Sequence, residues 1–168
     1  TLDGSVTNPF TFTIEEVPEL FQYNQSTQQA FYFFDAVMID NNQIEENDWV
    51  GAFKGNICVG ARKWITSSCG SGICDVPVMG EDGTNGTAGY MVPGNQPTFK
   101  IYDISKDIYY DATSNIEICE WATSGFCNLD KLSYSENLDM SNVAINYNII
   151  SAYPNPFNPV INIDLNLK

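Results

Sequence analysis

Apolar residues in this chain recur at every second position, and none of its segments holds the i, i+3, i+4, i+7 spacing of an amphipathic helix for three turns. Phe10-Thr11-Phe12-Thr13-Ile14 places Phe10, Phe12 and Ile14 on one face. Val143, Ile145, Tyr147 and Ile149 repeat the pattern. The run from Ala30 to Ile39 has too few polar breaks to face water on either side, so it reads as a central strand. Trp49 to Phe53 and Ile57 to Ala61 flank Lys54-Gly55-Asn56, the mark of a hairpin with a short glycine-bearing loop. Thr98 to Tyr102 and Ile108 to Ala112 form a second hairpin around residues 103–107. The longest loop expected runs from Thr66 to Gly94. Short strands punctuated by Gly, Asn and Asp predict an all-β fold, a β-sandwich or jelly-roll-like domain over residues 1–150.

The end of the chain is organised differently. Residues 151–159, Ser-Ala-Tyr-Pro-Asn-Pro-Phe-Asn-Pro, carry three prolines that remove donors and fix φ, which predicts a stiff extended connector. Residues 160–168 then alternate strictly, with Ile161, Ile163, Leu165 and Leu167 on one face and Asn162, Asp164, Asn166 and Lys168 on the other. Nine extended residues span about 30 Å. Burying the four aliphatic side chains in a neighbour would contribute about 6–12 kcal/mol before ordering costs, at about 1.5–3 kcal/mol each. An amphipathic strand with no obvious partner is an aggregation hazard unless something pairs with it. The expectation is a donor strand that adds to a neighbouring copy.

Charge and cysteine usage narrow the partners. Twenty-one acidic residues against seven basic ones give a formal charge of −14, which repels nucleic acid and anionic lipid. Acidity of this kind also simply keeps an extracellular protein soluble. No run is apolar and long enough for a membrane span. The chain opens Thr1-Leu2-Asp3-Gly4 without an initiator Met, the start expected of a mature protein freed of its signal peptide. Five cysteines occur with no His and no C-x-x-C pair, so disulfides fit better than zinc. Cys69-Gly-Ser-Gly-Ile-Cys74 closes a short loop, and Cys119 and Cys127 flank another. The pairing expected is Cys69–Cys74 and Cys119–Cys127, with Cys58 a buried thiol, although sequence alone leaves other pairings open. Disulfides place the chain outside the cell or on its surface.

The absence of His removes Ser-His-Asp and Cys-His systems, and no carboxylate pair is marked by an apolar pocket, so no enzyme is expected. Two ligand readings stand beside bland ones. Glu81, Asp82 and Asn85 pack oxygen ligands around glycines as calcium loops do, against an ordinary Asp-Gly and Asn-Gly turn. A second acidic loop spans residues 40–48. Glycan binding would use Trp64, Tyr109 and Tyr110 as stacking platforms, against core packing for each; Trp64 follows Arg62 and Lys63 near a loop and is expected to be exposed.

Tyr153-Pro154-Asn155-Pro156-Phe157-Asn158-Pro159 and the strand behind it resemble the opening of the type A C-terminal sorting domain of type IX secretion cargo. The resemblance covers the last 16 residues and implies export across an outer membrane, with the rest of that domain cleaved or absent. Asp48-Trp49-Val50-Gly51-Ala52-Phe53, Cys58-Val59-Gly60-Ala61, Cys74-Asp75-Val76-Pro77-Val78 and Phe99-Lys100-Ile101-Tyr102-Asp103 resemble an uncharacterised β module found with such tails. That likeness implies an extracellular β fold and no catalytic residues. The function expected is an extracellular structural subunit of a filament or surface assembly; the alternative is a carbohydrate-binding or calcium-dependent adhesion module of a larger secreted protein.

Overall fold

The computed structural model describes residues 16–136, 147–153 and 162–167. It is all-β, as the alternation predicts. The chain divides into two compact units at Ser135/Glu136.

The first unit carries β1 (Gln29–Ile39), β2 (Asn42–Gln43), β3 (Trp49–Lys54), β4 (Ile57–Lys63), β5 (Cys74–Met79), β6 (Thr98–Asp103), β7 (Ile108–Ser114) and β8 (Phe126–Tyr134). They form one mixed sheet in the order β2-β1-β8-β7-β6-β3-β4, with β5 on the β1 side that β2 also uses. The sheet folds into two halves because β7 belongs to both. Its residues from Ile108 to Ala112 pair with β6, and Thr113 and Ser114 pair with β8. A strand that switches partners in this way turns a sandwich corner. β1 and β8 run parallel, so the whole second half is strung between them as the crossover.

Side chains from both halves fill the space between. Tyr32 and Phe34 of β1 meet Phe99 of β6 at ring distances of 5.7 and 5.1 Å. β1 and β8 bend together: buried positions are Ala30, Tyr32 and Phe34 and then Val37 and Ile39, matched by Cys127 and Leu129 and then Leu132. The change of parity falls at Asp35 and Asp130, both exposed. This bend is why alternation reads poorly through residues 126–134. The turn from β1 to β2 uses Asp40 and Asn41 at φ 48° and 64°, a conformation these two side chains tolerate.

The far ends of the sheet, β4 and β5, meet at a seam closed by side chains. Arg62 donates from Nε to the Asp75 carbonyl at 2.5 Å and from its terminal nitrogen to the Asp75 carboxylate at 2.7 Å. Gly60 lies so close to the Pro77 carbonyl that any Cβ there would collide with it. Outside the second half, Phe21 is fully buried, edge-on to Phe53 and Tyr109 and seated over Gly51.

Both predicted hairpins form. Three local expectations need correction. β5 lies within the stretch 66–94 read as loop; Pro77 argues against a strand there but sits on the side facing β4. β1 is paired on both sides, yet Phe31 and Phe33 are only half-buried on its outer face. The first unit ends at Ser135, not near 150, and β9 (Tyr147–Tyr153) spans the boundary drawn between body and connector. The predicted strand at 10–14 and residues 143–146 and 154–161 lie outside the described residues.

The second unit holds β9 and β10 (Asn162–Leu167), an antiparallel pair running from Asn162 opposite Tyr153 to Leu167 opposite Tyr147. The register shifts between Asp164 and Leu165. The terminal strand therefore has a partner in its own chain, which the sequence did not reveal.

Candidate functional site

Ligand sites and assembly elements fare differently. Trp64 is 1% exposed and packs against Phe34 at 6.3 Å. It is no stacking platform. Its backbone N–H donates to the Asp48 carbonyl at 2.7 Å, which turns the chain inward directly after Arg62 and Lys63. Trp49 and Trp121 are buried as well. Tyr109 and Tyr110 face opposite sides of β7, as neighbours on a strand must. Tyr109 lies tilted against Tyr102 at 4.5 Å and meets Phe21, whereas Tyr110 lies tilted against Tyr134 at 4.4 Å.

In the loop at Glu81, Asp82 and Asn85 the central carboxylate is taken up by the loop's own donors and by the Thr27 N–H. Asp82 accepts from the Thr87 hydroxyl at 2.6 Å, the Thr84 hydroxyl at 2.7 Å, the Thr84 N–H at 3.1 Å and the Thr27 N–H at 3.2 Å. These donors, Thr87 foremost, hold its carboxyl well below the usual range. Glu81 and Asn85 are exposed. Among the described residues no group of three or more His, Cys, Asp or Glu side chains is placed to hold a metal ion.

Among the described residues two carboxylates are buried: Asp48, which closes the acidic loop 40–48 read from the sequence, and Asp103, which the sequence did not mark as a site. Asp48 accepts from the Glu45 N–H at 2.8 Å and the Ile104 N–H at 3.0 Å, pinning the acidic loop to the end of β6; burial raises its pKa. Burial acts the same way on Asp103, but Ser105, the Lys106 amide and the Lys106 ammonium more than offset it, and its pKa is lowered. Both line a cleft of about 250 Å³ with Glu45 and Lys106. Every polar side-chain atom buried among the described residues has a partner, so these carboxylates act as loop pins.

Cys69 is bonded to Cys74 and Cys119 to Cys127. Cys58 is free and buried, its thiol pushed up to about 11 by desolvation and so kept unreactive. Among the described residues no helix is long and apolar enough to cross a membrane.

The candidate assembly element is the β9–β10 pair. Each strand is bonded on one side, and among the described residues no third strand joins their sheet. The sequence signal for it was the alternation at Ile163, Leu165 and Leu167; Ile161 lies outside the described residues. Searches against family models, curated proteins and solved structures find no match to this chain.

Proposed function

We propose that this chain is an extracellular structural protein, the subunit of a filament or surface assembly, joined to a neighbouring copy by strand addition through its C-terminal strand. One observation carries the reading: among the described residues β10 sits in a two-stranded sheet of its own, within a unit compact by itself, with one side unbonded. Two strands alone are marginally stable in water, and their open edges invite a further strand. Strand addition between subunits uses this chemistry, with backbone bonds for affinity and alternate side chains for fit. A head-to-tail contact of this kind yields an open filament unless its rotation closes a ring.

The extracellular setting is supported by the two disulfides, and the resemblance of residues 153–168 to a type IX sorting signal gives a route of export. The absence of His from the chain and the tying of Asp48 and Asp103, the acids buried among the described residues, to their loops support a non-enzymatic role. The adhesion alternative loses Trp64 to the core and keeps Tyr109 and Tyr110 as its aromatic residues.

Sedimentation velocity and negative-stain electron microscopy on full-length protein and on a deletion of residues 160–168 test the proposal. The expected result is polymers from the full chain, and a folded, monomeric protein after deletion. A full chain that stays monomeric at high concentration, with a deletion that merely destabilises it, contradicts the proposal.

A further inference from the structure

Strand addition needs an acceptor, and the edges of the first unit are not equivalent. β5 carries Pro77 and is sealed against β4 by Arg62 and the Gly60 contact. β2 is two residues long. β7 differs. Ile108 to Ala112 are bonded to β6 on one side, pairing with β8 begins only at Thr113, and among the described residues nothing pairs with the other side. Apolar surface shows along this stretch: Ile108 is 42% exposed, Ile116 just beyond it 46%, and the packed rings of Tyr110 and Tyr134 are half-buried. No proline guards this edge, and no exposed lysine stands on it, the devices that usually blunt one. The charges nearby pair among themselves, Lys100 with Asp111 and Lys106 with Asp103.

We propose that residues 108–112 of β7 are the acceptor edge and that the occupant is β10 of a second copy. This rests on the strand-addition reading above and names its missing half. Length agrees, since β10 has six residues. Its alternation suits a sheet with one face on a core, the apolar positions turning toward Tyr110 and the polar ones toward the side of Asp111. Charge agrees too. The chain carries −14 overall, yet Met140 to Ile163 is 24 residues without a charge, the longest such run it has. This neutral segment, ending in β10, approaches an acidic neighbour with least repulsion. The result is a sheet in which β10 lies between its own β9 and the neighbour's β7.

Cross-linking between separately made variants tests the assignment. Asp111→Cys protein is mixed in turn with Asn162→Cys, Asp164→Cys and Asn166→Cys protein and oxidised, so that any bond formed joins two chains. One register should give a dimer on a non-reducing gel, well above a Glu46→Cys control. Ile108→Lys should raise the concentration needed for assembly at least tenfold and leave the melting temperature unchanged. If the unmodified chain polymerises but no mixture cross-links, or Ile108→Lys assembles normally, the β7 assignment is wrong and strand addition stands. If the chain lacking residues 160–168 polymerises, strand addition itself is wrong.

Discussion

β1 and β10 are both amphipathic strands, yet among the described residues one is paired on both sides and the other on one. β1 is bonded along both sides, to β8 on one and to β5 and β2 on the other, and its inward rings meet Phe99 and Trp64. Among the described residues β10 is bonded to β9 alone. A strand's own pattern says which face wants cover; it does not say whether cover is present. The first unit holds its own partners, seam and core, whereas among the described residues no third strand joins β9 and β10, and two strands alone are marginally stable. Under the proposed function, that difference puts folding in one region and association in the other.

The largest test of this division is Trp121→Ala. Trp121 is 2% exposed, donates its indole N–H to the Val78 carbonyl at 2.9 Å, and lies where a Cβ on Gly80 would strike it. Its removal should cost about 3–5 kcal/mol in a urea melt. Leu165→Ala, measured below the concentration of assembly, should leave the same transition within about 0.5 kcal/mol. Equal losses would mean that the two units fold as one. A smaller effect is expected from Cys119→Ser with Cys127→Ser, about 2–3 kcal/mol from the short loop released. Mass spectrometry of non-reduced peptides checks the pairing directly, and any bridge to Cys58 would break it.

Much of this was legible in the sequence, for local reasons. Both disulfides close short loops, and both recognised hairpins have their turns written between them. What escaped depends on distant partners. β8 was missed because its buried positions change parity at Asp130, and its neighbour β1 lies almost a hundred positions earlier in the chain. β5 was missed because Pro77 argues against a strand, and only the seam with β4 shows that the lost donor faces no ladder. Trp64 looked exposed beside Arg62 and Lys63, but the bond from its N–H to Asp48 turns it inward. The partner of β10 was hidden because Tyr147 and Ile149 alternate as well as any body strand.

Amide hydrogen exchange on the full chain, below and above its concentration of assembly, tests the division most directly. Below it, amides of β1 and β8 should exchange only through global unfolding, and those of β10 should exchange orders of magnitude faster. Above it, β10 should gain protection while β1 and β8 do not change. Protection of β10 equal to that of β1 in the dilute monomer would contradict the account, since the terminal strand would then be part of a fold already complete.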